Sequence, residues 1–134
     1  MSLVRKIADL AARIAVELKS KATLGEVKTL PGVAKAWASF GLHAGNAQLF
    51  SGFNVAAVER QGVGRYRVVF ATPFANTNYC WQAFARNSGQ RDSIKLAIAR
   101  VRGDAKTPTS LELSIVSTSG SPVDSAEINV VVFA

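Results

Sequence analysis

The chain has 134 residues, nearly half of them apolar, and a formal net charge of +7. That length is one ordinary domain, or one domain with an appendage, and the apolar content is enough for a real core. No run of 18 apolar residues is present to span a bilayer, so membrane insertion is not expected. The single cysteine, Cys80, excludes an intramolecular disulfide framework and a multi-cysteine zinc site.

The opening segment "MSLVRKIADLAARIAVELKS" is broken by Arg5, Lys6, Asp9, Arg13 and Glu17. It lacks both the uninterrupted apolar stretch and the small-residue cleavage site of a secretory signal. Instead it reads as a helix. Leu3, Ile7, Leu10 and Ile14 recur at spacings of four, three and four, with Leu18 four further on, which places them on one stripe. Ser2 can cap the start. Arg5, Asp9, Arg13, Glu17 and Lys21 alternate in sign four apart along another face, where each pair adds about 0.2–0.5 kcal/mol. The apolar stripe has two readings, a core element of its own domain or a short coiled coil joining copies. Isoleucine at a and leucine at d lean, in a parallel coil, towards two strands. The segment that follows, "KSKATLGEVKTLPG", has the sparse apolar content and the Gly25, Pro31 and Gly32 of a linker. This favours association, with Leu3, Ile7, Leu10 and Ile14 as the oligomerisation seam. Residues 1–33 are therefore expected to form an N-terminal helix and linker used for association or anchoring.

From Trp37 the hydrophobic period becomes two. Candidate strands cover 34–40, 48–53, 54–60, 64–71, 78–86, 94–102, 111–117 and 126–133. In them Tyr66, Val68 and Phe70 oppose Arg65, Arg67 and Val69; Ile94, Leu96 and Ile98 oppose Lys95, Ala97 and Ala99; Leu111, Leu113 and Ile115 oppose Glu112, Ser114 and Val116. The separators are turn-rich: Gly62 and Gly64, Asn76 and Asn78, "NSGQRD", "GDAKTPT" and "STSGSPVD". Seven or eight short strands with no helix between them predict a mainly β protein, an antiparallel sandwich over residues 34–134 preceded by the amphipathic helix. The last strand, "INVVVFA", is apolar on both faces, with Ile128, Val130 and Val132 on one and Val131 and Phe133 on the other. It is either central in its sheet or covered by a neighbouring copy. Trp37, Phe40, Phe53, Tyr66, Phe70, Tyr79 and Trp81 are expected to build the core and subunit contacts, and Cys80 to be buried among them.

No constellation for catalysis stands out, and neither cofactor nor metal is expected. The one histidine, His43, lies in the loop-like "GLHAGNAQ" with no serine elbow near it. Paired carboxylates would have to come from Glu59, Asp92, Asp104, Glu112, Asp124 and Glu127, most of which flank turns or alternate outward on strands. The glycines at 62 and 64 lack the lysine and the helix of a phosphate loop. A nucleic-acid interface could be drawn through Arg65, Arg67, Arg86, Arg91, Lys95, Arg100 and Arg102. By alternation, however, Tyr66 points away from Arg65 and Arg67, so no base-stacking aromatic sits among them. The basic excess is also dispersed. Six basic and three acidic residues fall in 1–30, and ten and six in 31–134. Such an excess mostly maintains solubility.

Three stretches carry a resemblance: "AKAWASF" (34–40), "SGFNVAAVERQGVGRYRVVFATPFANTNYCW" (51–81) and "SAEINVVVFA" (125–134). The chain resembles bacteriophage virion proteins of the tail-fibre type, in particular their compact C-terminal β domains. The matching positions are Ala36, Trp37 and Phe40; Phe53, Asn54 and Val55; Gly62, Gly64, Tyr66, Val68 and Phe70; Pro73; Asn78 and Tyr79; and Val130 to Phe133. The resemblance implies a noncatalytic virion structural protein, made in the host cytoplasm and assembled as a homotrimer. It would be a short fibre, a spike or a capsid decoration (a head fibre among them) bound to other capsid or tail proteins. A receptor-binding tip that grips a host-surface glycan or protein through "NSGQRD" or "STSGSP" is the alternative, with no receptor-binding residue identified. Nucleic acid is the less favoured partner.

Overall fold

The computed structural model describes residues 2–20, 26, 29–86, 95–99 and 106–134. The chain divides into two compact units, Met1–Val33 and Ala34–Ala134.

In the first unit a helix, α1, runs from Leu3 to Ser20. Ser2 starts it: its hydroxyl oxygen accepts from the Arg5 amide at 3.3 Å, and its carbonyl oxygen accepts from the Lys6 amide at 3.2 Å. Two of the donors left unpaired at a helix N-terminus are thereby satisfied. Lys19 stands in the last turn, where a cation complements the carbonyl end of the helix dipole.

The second unit is a sandwich of two antiparallel four-stranded sheets. Its strands are β1 (Ala34–His43), β2 (Asn46–Phe53), β3 (Val55–Gly62), β4 (Arg65–Phe70), β5 (Cys80–Arg86), β6 (Lys95–Ala99), β7 (Ser110–Ser117) and β8 (Glu127–Phe133). Sheet 1 has the order β2-β1-β8-β5 and sheet 2 the order β3-β4-β7-β6. All eight strands read from the alternation are present, and the mainly β sandwich with a preceding helix is the architecture of the chain. Strand β8 is central in its sheet, flanked by β1 and β5; Ile128, Val130 and Val132 face the core, while Val131 and Phe133 lie on the outer face of the sheet.

The core lies between the two middle pairs of strands. Ala36, Ala38 and Phe40 of β1 and Ile128, Val130 and Val132 of β8 face Tyr66, Val68 and Phe70 of β4 and Leu111, Leu113 and Ile115 of β7. All of these are buried. Full burial of each large apolar side chain is worth about 1.5–3 kcal/mol. Phe40 meets Tyr66 edge-on with ring centroids 5.6 Å apart, and Phe70 meets Phe74 and Tyr79 at 4.7 and 5.7 Å.

Five expectations are corrected. His43 is not in a loop but is the last residue of β1, paired with Asn46. The turn between them is Ala44–Gly45, with φ of 49° and 85°, the left-handed pair that a two-residue hairpin requires. Asn54 is not the first residue of a strand but stands between β2 and β3. Asn54, at φ 54°, turns the chain from sheet 1 to sheet 2. Its side chain stabilises the corner, donating to the carbonyls of Lys35 and Thr72 and accepting from the Thr72 amide at 2.7 Å. Trp37 and Phe53 are not in the core but 39% and 45% exposed, because the register sets them opposite each other on the outer face of sheet 1. Cys80 is likewise exposed, since it is Trp81 that packs against the core. On β6 it is Ala97 that packs inward, leaving Leu96 and Ile98 exposed.

Gly64 marks a close approach between strands. At φ 65°, it has room for no Cβ, which would lie 2.5 Å from the Ile115 carbonyl oxygen and 2.7 Å from the Val123 nitrogen. Gly120 has a similar φ of 81° but open space around it. Replacing Gly64 by alanine is therefore expected to cost about 2–4 kcal/mol, combining backbone strain with overpacking. Gly120→Ala should cost only the left-handed backbone penalty, about 1–2 kcal/mol. Urea unfolding followed by the fluorescence of Trp37 and Trp81 measures both; equal losses would discard the close-approach account.

Candidate functional site

Three places in the described residues combine unusual chemistry or exposure: a polar cluster around Asp124, the charged face of sheet 2, and two apolar surfaces.

Asp124 lies in the β7–β8 connection and gathers three donors from the β3–β4 hairpin. Its Oδ1 accepts from Tyr66 Oη at 2.7 Å, the Gly64 amide at 3.0 Å and Arg60 Nε at 3.2 Å, while Oδ2 accepts from Arg60 Nη2 at 2.8 Å. Its backbone carbonyl accepts from Lys95 Nζ at 2.6 Å. The hydrogen bond from Arg60 is the largest cause holding the Asp124 carboxyl down to about 2, opposed by partial desolvation and helped by Gly64 and Tyr66. Burial raises the Tyr66 phenol, and the adjacent carboxylate raises it further. The cluster resembles an acid–tyrosine–arginine site in composition, but its chemistry is that of a clamp. The carboxylate is saturated with donors and held ionised, so it is a poor base, and the phenol holds its proton tightly.

A second clamp closes the opposite end. Tyr79 Oη donates to the carbonyls of Thr107 and Ser110 at 3.0 and 3.1 Å. Lys106 Nζ sits 4.6 Å from the Tyr79 ring centroid and donates to the Tyr79 carbonyl. Burial pushes the Tyr79 phenol up to about 12. Buried Ser125 donates to the Arg86 and Glu127 carbonyls, tying β5 to the start of β8.

On sheet 2 the register aligns Glu59, Arg67 and Glu112 directly across β3, β4 and β7. Arg67 Nη2 is 2.6 Å from Glu112 and its Nη1 is 3.5 Å from Glu59. The arginine nominated for a nucleic-acid face is thus flanked by two carboxylates, which leaves little net positive field there for phosphates. Arg65 lies on the same outer face, opposite Ser114. Arg91, Arg100 and Arg102 are outside the described residues, as are Lys21, Ile94, Asp92, Asp104, the "NSGQRD" loop and the first half of "GDAKTPT". The "STSGSP" loop is an exposed turn closed by the Ser117 amide donating to the Ser121 carbonyl. Among the described residues no three His, Cys, Asp or Glu side chains converge as metal ligands, and no helix is long and apolar enough to cross a membrane.

The apolar surfaces are of two kinds. On α1 the stripe read from the sequence is open to solvent, with Leu3 72%, Ile7 57%, Leu10 58% and Ile14 48% exposed. Val4 and Leu18 are also exposed and widen it. On sheet 1 the register lines up Phe53, Trp37, Val131 and Gln82 across all four strands. The neighbouring rows carry Ser51, Ser39, Asn129 and Phe84 on one side, and Phe133 opposite Cys80 on the other. Phe84 is 73% exposed. Sequence reasoning found the α1 stripe from its spacing. It missed the sheet-1 face because large aromatics were assigned to the core. At Trp37 the missed signal was parity, since it falls out of phase with Ala36, Ala38 and Phe40; Phe53 shares the phase of the inward Ala47 and Leu49 and is sent outward by the β-bulge in β2. Comparison with family models, characterised proteins and solved structures returned no match.

Replacing Asp124 by asparagine is expected to cost about 1–2 kcal/mol at neutral pH, a value discounted for the solvent that still reaches the side chain. Because the folded carboxyl lies below its ordinary value, its contribution is complete above about pH 4 and is lost as the pH falls towards 2. The stability gap between wild type and Asp124→Asn should therefore close over that interval in urea titrations. A gap independent of pH would show that the carboxylate charge is not what matters.

Proposed function

We propose that this chain is a noncatalytic structural protein of a bacteriophage particle, joined to its sister copies through α1 and presenting the sandwich as its working domain. One observation carries the reading: α1 bears a continuous apolar stripe, Leu3, Ile7, Leu10 and Ile14, of which every member is about half exposed or more. An isolated helix of 18 residues is marginal in water, and most helical stability in proteins comes from packing an apolar face. A stripe of this kind is therefore matched by partner helices. In heptad terms Ile7 and Ile14 are a positions, Leu3 and Leu10 are d positions, and Val4, Ala11 and Leu18 follow at e. An apolar e column makes the stripe wider than a two-helix seam needs. This supports a trimer, as the resemblance to tail-fibre-type proteins implies, over the dimer suggested by the a and d residues alone.

The polar clusters are consistent with a structural role, since each ties separate segments of the sandwich together. In this reading the protein is made in the host cytoplasm and ends in the virion, as a short fibre, spike or head decoration in contact with capsid or tail proteins. A host-surface ligand is assigned no residues.

Changing Ile7 and Ile14 together to glutamate is expected to reduce the sedimentation mass to that of one chain, while tryptophan fluorescence and the urea midpoint of the sandwich stay unchanged. An unchanged mass would reject the seam. Electron microscopy of purified particles carrying a label on this chain tests the virion assignment; absence of the label from particles would remove it.

A further inference from the structure

The outer face of sheet 1 is unlike the surface of a sandwich domain that stands alone. Its central rows run Phe53–Trp37–Val131–Gln82 and Ser51–Ser39–Asn129–Phe84, with Phe133 beside Cys80, and none of these residues is charged. The charged groups stand at the margins. Arg86 and Glu127 pair with each other at 3.0 Å at one end, and Lys35 lies at the bulge near the start of β1 at the other. An outward sheet face normally carries polar residues in alternation with the core. Here Trp37, Phe53 and Phe84 together expose about 300 Å² of aromatic surface, within the size range of the largest apolar patch on a monomer, which is often functional.

We infer that this face turns towards the shared axis of the assembly and packs against sister copies, forming a second self-association surface distinct from α1. The inference rests on the reading that α1 gathers copies. Charge is the first argument for this occupant. The chain is +7, so identical copies repel, and they can approach most closely where a face carries no charge. Two neutral faces meet without like-charge contact. A strongly acidic partner, by contrast, would gain nothing from these rows. Area is the second argument. The three aromatics supply only a minor part of the roughly 800 Å² per partner that a free-standing interface buries, and the rest of the face is polar or only partly exposed. A patch of this size does not hold copies together from dilute solution. It closes when a tether raises the effective concentration to about the millimolar range, which is what copies joined at α1 provide. The outer row would then turn inward towards the symmetry axis, and Trp37 and Phe53 would be buried after all, between subunits.

Cys80 reports on this directly, because it is the only thiol and is exposed on the same face beside Phe133. The experiment follows N-ethylmaleimide labelling of the full chain by mass spectrometry, with sedimentation at the same concentration. In wild type the expected result is an oligomer whose Cys80 reacts about tenfold more slowly than in the Ile7→Glu/Ile14→Glu chain, reactivity following thiol access. Phe84→Lys, at a position exposed enough to spare the fold, should keep the oligomer through α1 and restore fast labelling; Phe84→Ser should do so in part. An oligomer with Cys80 as reactive as in the seam variant overturns this inference alone, and the face is then open to another ligand. A seam variant that stays oligomeric with Cys80 protected, and dissociates on adding Phe84→Lys, supports the face and overturns the α1 seam. A monomeric wild type overturns both.

Discussion

Alternation along a strand gives every residue of a two-layer sandwich one of two destinations, and this constraint organises the molecule. On β4 and β7 the division is orthodox. Tyr66, Val68, Phe70, Leu111, Leu113 and Ile115 go inward, while Arg65, Arg67, Glu112 and Ser114 stay on the outer side. On β1 and β8 the inward set is smaller in volume: Ala36 and Ala38 with Phe40, against Ile128, Val130 and Val132. The large Trp37 takes the outward place between them. Small residues inside leave room for Tyr66 and Phe70 to cross from the other sheet, and the aromatic bulk of sheet 1 is displaced to its outer surface. The inner packing and the outer patch are thus two results of one parity, since a shift by one residue would exchange them.

The closed ends of the sandwich depend on polar groups placed by that same parity. Tyr66 is buried, yet its hydroxyl must find an acceptor, and Asp124 supplies one while also taking the Gly64 amide and the Arg60 guanidinium. Tyr79 meets the same requirement with two carbonyls in the segment leading into β7. Each tyrosine contributes a ring to the core and a hydroxyl to a loop, so the loops are fixed by residues whose main burial is elsewhere. This explains how a constellation with the composition of a reactive site can serve structure. Asp124 already takes four hydrogen bonds from Arg60, Gly64 and Tyr66.

Much of this was legible in the sequence, and the failures share a cause. The eight strands followed from period-two patterning, and the helix from the spacing of Leu3, Ile7, Leu10 and Ile14. Even the two-sided apolarity of β8 was correctly open to a central position. Assignment of side chains to faces failed wherever size was allowed to outrank phase. Trp37 and Cys80 were placed inside because aromatics and thiols usually are, although Ala36 and Ala38 hold the inward phase of β1; Phe53 follows the inward phase of Ala47 and Leu49 and is turned outward by a β-bulge that the spacing does not show. On β6, Leu96 and Ile98 pointed to one buried face, but Ala97 takes it. Asn54 was read as the first residue of a strand, although asparagine is among the few non-glycine residues that readily take the left-handed conformation of the corner that sends the chain to the other sheet. The Asp124 cluster was not legible at all, because it joins residues sixty positions apart through a connection that looked like a solvated turn.

The two apolar surfaces are each too small to act alone, and that is an argument for their acting together. The α1 seam spans two heptads before Glu17 occupies the next d position, shorter than coiled coils that assemble unaided. The sheet-1 patch is smaller than a self-sufficient interface. Each contact, once made, converts the other from a bimolecular event into an intramolecular one, and the combined stability exceeds either by the tethering factor. Such a division has a physical advantage for a chain carrying +7. In the proposed assembly single copies meet only through weak, easily reversed contacts, and the uncharged faces of sheet 1 meet once copies are joined through the helix. In that assembly the basic excess opposes unordered association of the copies.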